Sequence, residues 1–229
     1  MLTEKKVLII LHQERSTPGR IGLLLQSRGL RLDIRRPALG DQLPNTLENH
    51  IGAIMFGGPM SANDNNDFIN YEKDWINIPI KEKKPFLGIC LGAQLLACTL
   101  GGSVRKNKSG LVEIGHYPIY PTDSGMKIIN WPTHVHQWHK EWMEPPKCCD
   151  LLAVGETGEA QAFRLEDNIY GIQFHTELTL AMIHRWLVKA ENKLQLPGAQ
   201  ERKKHFEGRL LYDMHVKTWL IDFFNLLFK

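Results

Sequence analysis

The chain has 229 residues, 43% of them hydrophobic and 23% charged, the balance of a soluble globular protein with a substantial core. Twenty-eight Lys and Arg against twenty-five Asp and Glu leave a net charge of +3, far short of the basic footprint of a phosphate-backbone binder, so nucleic acid is not an expected partner. The length suits one α/β domain and excludes two full-sized enzymatic ones, and residues 1–229 are expected to form a single domain.

In chain order, short apolar or β-branched runs alternate with helical patterns. Residues 7–11 read as a strand, 21–28 as a helix that stops at Gly29, and 30–34 as a second strand. Residues 51–56 are a strand ending in the breaker Gly57-Gly58-Pro59, 68–81 one helix, and 85–89 a further strand. Strands alternating with helices predict βαβ units, hence an α/β fold whose mostly parallel central sheet is covered on both faces. After Gly101-Gly102 the pattern turns extended, at 112–120, 134–138, 151–154, 160–165 and 170–174, predicting antiparallel or mixed strands added to that sheet. Residues 179–190 return to helix, with Thr179 as N-cap and Leu180, Ile183, Leu187 and Ala190 on one face. A polar connector at 191–207 precedes a last helix near 209–228, a C-terminal helical extension at about 208–229. Its Leu210, Leu211, Met214, Trp219, Phe223 and Phe224 offer a face for a partner or for the domain's own core.

The apolar run at 7–11 is too short for a secretory leader or a membrane span, and that at 219–228 is interrupted by Asp222 and Asn225. No membrane association is expected, and the expected location is cytoplasmic. Cys90, Cys98, Cys148 and Cys149 have neither Cys-x-x-Cys spacing nor the density of a disulfide scaffold, so they read as reduced thiols.

The sharpest local feature is an apolar strand running into Gly88-Ile89-Cys90-Leu91-Gly92 and then into a helix. Small residues two positions either side of the cysteine permit the strained strand-to-helix turn of a nucleophile elbow. A helix N-terminus there would stabilise a thiolate through its dipole and free N–H groups. This window alone leaves Cys90 open as a buried core thiol. The second window, Gln173-Phe174-His175-Thr176-Glu177, puts a histidine at the C-terminal end of an apolar strand, the edge of an α/β sheet where sites assemble. Glu177 is placed to orient one imidazole nitrogen while the other faces the thiol, as in a hydrolytic triad.

With Gly57-Gly58-Pro59, the Cys90 elbow followed by Gln94, and Gln173-Phe174-His175-x-Glu177 in this order, the chain resembles the class I glutamine amidotransferases, in particular free-standing members similar to the amidotransferase domain of GMP synthase. Trp138-His139-x-Glu141 is a weaker match to the Trp-His-x-Asp of relatives. The resemblance implies a flavodoxin-like sheet, Cys90 as nucleophile, His175 as general base and acid, and Glu177 as its orienting carboxylate. It also implies an oxyanion hole from the N–H groups of Gly58 and Leu91, glutamine held with the help of Gln94, and His139 as a pocket residue. Two positions depart from the family: Thr176 stands where Pro is usual, and Glu141 where Asp is usual.

The implied reaction is hydrolysis of the glutamine side-chain amide through a cysteine γ-glutamyl thioester, with no metal or other cofactor. Ammonia would pass to a synthase partner, since the chain has no Gly-x-x-x-x-Gly-Lys loop of its own. The alternatives are a stand-alone γ-glutamyl peptidase with the same triad, and an elbow-cysteine redox sensor that would not require His175 and Glu177. A metal reading of His134, His136 and His139 fits no common zinc spacing.

Overall fold

A computed structural model describes residues 5–228. The first half alternates as β1 (Lys6–Ile10), α1 (Gly19–Ser27), β2 (Arg31–Arg35), β3 (His50–Met55), α2 (Asp67–Trp75), α3 (Asn77–Lys81), β4 (Phe86–Ile89) and α4 (Leu91–Thr99). The second half comprises β5 (Ser103–Lys106), β6 (Glu113–Pro118), β7 (Tyr120–Pro121), α5 (Asp123–Met126), β8 (His134–His139), β9 (Glu141–Glu144), β10 (Asp150–Val154), β11 (Ala160–Leu165) and β12 (Ile169–Ile172). It closes with α6 (Leu180–Lys189), a 3-10 turn (Glu191–Gln195) and α7 (Arg202–Leu227).

The central sheet runs β2-β1-β3-β4-β12-β11-β10-β7. Its first five strands are parallel and the remainder antiparallel. The alternating pleat of β1 sends Val7 and Ile9 into one core with α1 and α7, and Leu8 and Ile10 into the other with α2 and α4. Both faces of β1, β3, β4 and β12 are thus largely buried, which is why they read as apolar runs, whereas the edge strand β2 stays partly exposed and carries Arg31, Asp33 and Arg35. No helix among the described residues is long and apolar enough to cross a membrane.

Four local expectations are corrected. The predicted helix at 68–81 is two, because Pro79 has no N–H and its ring clashes with the carbonyl four residues back, at Trp75, where α2 ends. On α6 the buried residues are Met182, Ile183 and Leu187; Leu180 is 48% exposed and Ala190 is the C-cap. The last helix begins at Arg202, inside the predicted polar connector, and position 229 lies outside the described residues. Not all later strands extend the central sheet: β5 pairs with β9 and β6 with β8 as separate two-stranded ribbons. Helix α7 joins the main core through Val216, Trp219, Leu220, Phe223, Phe224 and Leu227, while Leu210, Leu211 and Met214 stay exposed.

Candidate active site

The C-terminal ends of β1, β3, β4 and β12 converge on one cleft of about 400 Å³. Its walls include Gly57 and Gly58 after β3, Cys90 after β4, and His175 and Glu177 beyond β12. The corner between β8 and β9 adds His139, Lys140 and Glu141, and α6 with the following turn lines a further wall.

Cys90 is the N-cap of α4 and takes φ 51°, ψ −106°, a conformation that costs a non-glycine residue about 1–3 kcal/mol. The surrounding structure enforces it. Cys90 N–H donates to the Ile172 carbonyl at 2.8 Å, and Gln94 N–H to the Cys90 carbonyl at 2.9 Å. A Cβ on Gly88 would lie 2.5 Å from the Gly92 carbonyl oxygen, so the elbow closes only with glycine there.

His175 and Cys90 meet over Gly57. A Cβ at Gly57 would lie 2.9 Å from His175 Cε1, 3.3 Å from Cys90 Cβ and 3.8 Å from Cys90 Sγ. His175 Nδ1 is 2.6 Å from Glu177 Oε1, and all three side chains are buried. Burial by itself would push the His175 imidazole down; the charges of Glu177 and Cys90 and their hydrogen bonds outweigh it and raise its pKa to about 10. The ring is further fixed by Trp186, edge-on at 5.0 Å, and its backbone N–H donates to the His136 carbonyl at 2.9 Å. The loop carrying Glu177 is tied down in turn by Arg20, whose N–H donates to the Glu177 carbonyl at 2.8 Å.

Gly58 lines the cleft, with Leu91 against it: a Cβ on Gly58 would lie 3.0 Å from Leu91 Cδ2. Gln94 is buried, and its Nε2 donates to the Glu141 carbonyl at 2.9 Å and to Gln173 Oε1 at 3.3 Å. Gln173 Nε2 then donates to Cys90 Sγ at 3.6 Å, a contact on the nucleophile that the sequence window contained but did not single out. His139 lines the cleft beside Trp142, and its Nε2 is 2.8 Å from Glu113 Oε2 at an angle too bent for a hydrogen bond. The two departures from the family pattern take different places. Thr176 is buried with its hydroxyl unpartnered among the described residues, whereas Glu141 accepts from Ser61 Oγ at 2.7 Å.

His134 and His136 face α7 instead of the cleft: His134 stacks on Tyr212 at 4.2 Å, and His136 Nε2 is 3.1 Å from His205 Nδ1. Sequence reasoning missed a buried pair behind the Gly57 wall, His12 and Glu72, and the cations Arg185, Lys189 and Lys193 that join Lys140 along the cleft. His12 left one signal, its position just past an apolar parallel strand.

The family model described as glutamine amidotransferase class-I matches residues 24–190. The glutamine amidotransferase-like protein YfeJ of Salmonella typhimurium is 27% identical over 199 residues, 82% of this chain and 82% of that protein. A glutamine-hydrolysing GMP synthase subunit of Sulfolobus acidocaldarius is 33% identical over 144 residues, 60% of this chain and 73% of that one. Among solved structures, a glutamine amidotransferase of Thermotoga maritima superposes with a TM-score of 0.89 at 26% identity, covering 99% of both chains.

Proposed function

Since the chain belongs to the class I glutamine amidotransferases, we propose that it hydrolyses the side-chain amide of glutamine through a γ-glutamyl thioester on Cys90, releasing ammonia and glutamate. The observation that carries this reading is the meeting of Cys90, on its strained elbow, with His175 over Gly57, backed by Glu177 at 2.6 Å. A redox thiol requires neither the imidazole nor the carboxylate.

In this reading the Cys90 sulfur attacks the amide carbon and the developing oxyanion is met by the N–H groups of Gly58 and Leu91, one such donor being worth roughly 3 kcal/mol of barrier. His175 delivers a proton to the departing nitrogen as the C–N bond breaks. The same imidazole then takes a proton from water, which attacks the thioester and frees glutamate and the thiol. Glu177 keeps Nδ1 protonated and Nε2 turned to the sulfur. Lys140, Arg185, Lys189 and Lys193 attract the carboxylate of the substrate. Lys193 is itself held below the usual ammonium range, by burial and then by the like charge of Lys140.

The ammonia would pass to a synthase partner, a reading supported by the likeness to a glutamine-hydrolysing component of GMP synthase. The cationic rim favours one second reading, a γ-glutamyl peptide, which carries a further carboxylate. Both are tested by measuring ammonia release from glutamine beside amine release from γ-glutamyl dipeptides, with mass-spectrometric labelling of Cys90 by a diazoketone glutamine analogue. Turnover of either substrate with a label on Cys90 is expected; no turnover of any γ-glutamyl amide and an unlabelled Cys90 would sink the proposal.

A further inference from the structure

A second histidine–carboxylate pair, His12 and Glu72, lies outside the reaction just described. His12 follows β1 and Glu72 sits on the inner face of α2, and both side chains are 0% exposed. His12 Nε2 is 3.0 Å from Glu72 Oε2, and Nδ1 is 3.2 Å from the carbonyl oxygen of Gly57. A carbonyl only accepts, so Nδ1 carries a proton and donates it. Glu72 Oε1 has no partner among the described residues. Burying such a pair incurs a desolvation penalty that apolar side chains of similar volume avoid. The core is therefore no explanation for it, and the group it holds is a single peptide of the cleft wall.

That peptide joins Gly57 to Gly58 and is trans, so its C=O and N–H point in opposite directions. Anchoring the Gly57 oxygen on the His12 side turns the Gly58 N–H away from His12. Packing demands glycine at both positions: a Cβ at Gly57 would meet His175 at 2.9 Å, and one at Gly58 would meet His12 Cβ at 2.9 Å. Two successive glycines are also the residues that resist a peptide flip least. The orientation has to be imposed from outside the loop, and His12 supplies the bond that does so.

We infer that His12, braced by Glu72, is a positioning residue that locks the Gly57–Gly58 peptide with the Gly58 N–H available as an oxyanion donor, an inference that rests on the γ-glutamyl hydrolase reading.

The test compares His12→Leu, His12→Asn and Glu72→Leu in the full chain. His12→Leu, which removes the donor to Gly57, and Glu72→Leu, which leaves Nε2 without a partner, are expected to lower kcat for the substrate that wild type hydrolyses at least tenfold with KM within twofold. Alkylation of Cys90 by iodoacetamide, a displacement that forms no oxyanion, is expected to stay within twofold of wild type. His12→Asn, whose amide can donate from the Nδ1 position, is expected to recover most of kcat. Unchanged kcat, or kcat and alkylation falling together, overturns the inference. A crystal structure of His12→Leu reads the same point without turnover: a flipped or divided Gly57–Gly58 peptide supports the lock, and the wild-type orientation overturns it. Wild-type protein inert toward every γ-glutamyl amide would remove the hydrolase reading alone, and that crystal structure would still decide whether the peptide is locked.

Discussion

Gly92 lies so close to Met55 that a Cβ on it would stand 2.2 Å from the Met55 carbonyl oxygen. The contact seats the first turn of α4 on the end of β3, which brings the Cys90 elbow beside the Gly57 loop. Because the obstacle is backbone, it cannot swing aside. Gly92→Ala is expected to cost at least about 3 kcal/mol or to prevent folding. Gly29→Ala, with φ +75° and nothing within 4 Å, is expected to cost only about 1 kcal/mol. Urea unfolding of the two variants checks the contrast.

In the proposed mechanism the carboxylate of Glu177, 2.6 Å from His175 Nδ1, orients the imidazole. Glu177→Gln is expected to reduce kcat by roughly 10²- to 10⁴-fold, because the amide no longer enforces the productive tautomer. The pKa of His175, now about 10, is expected to fall as its anionic neighbour disappears. An NMR titration of the His175 ring reads the second effect, and an unmoved titration would contradict the assignment of Glu177 as the charge that holds the proton.

Two histidines couple pH to stability in opposite senses. His175 has its pKa raised, so its contribution is full below about 6.5 and is lost as pH climbs through about 10. His116 is lowered to about 4, first by burial and then by the charge of His205, with Asp213 opposing. A neutral, half-buried imidazole that charges on unfolding makes its stabilisation full above about 6.5, and this is lost as pH falls toward 4, on the order of 3 kcal/mol. His116→Phe should therefore flatten the decline in urea midpoint between pH 6.5 and pH 4 relative to wild type.

Helix α7 divides its apolar residues between two fates. Trp219 stacks on Phe223 at 4.8 Å, and both are buried against the sheet, whereas Leu210 is 88% exposed. Trp219→Ala is expected to cost about 3–5 kcal/mol through the cavity it leaves. Leu210→Ser should stay within about 0.5 kcal/mol. Thermal unfolding of the two variants separates the faces.

In the proposed reaction the cationic rim attracts the substrate's carboxylate, so Lys193→Gln should raise KM for glutamine several-fold with little change in kcat, and added salt should raise wild-type KM in the same direction. An equal loss in kcat would place Lys193 in the transition state instead.

What the sequence determined by itself is what near neighbours encode. The strand–helix alternation is written in hydrophobic period, the Cys90 elbow in glycines two positions either side, and the His175–Glu177 contact in a spacing of two just past a strand. These signals survive without tertiary information because the backbone geometry that uses them spans only a few residues. The helical period of 68–81 runs on through Pro79, which the local pattern does not register, and α7 starts with Arg202, Lys203 and Lys204, solvated residues that read as a connector. Tertiary structure alone decided the separate ribbons β5–β9 and β6–β8, the split of α7 and the cationic rim. It also decided the His12–Glu72 pair, whose members are 60 residues apart. Those depend on strand order and on which face each helix covers. No local pattern reports which distant side chain will share a buried space, because that choice is made by packing over the whole sheet.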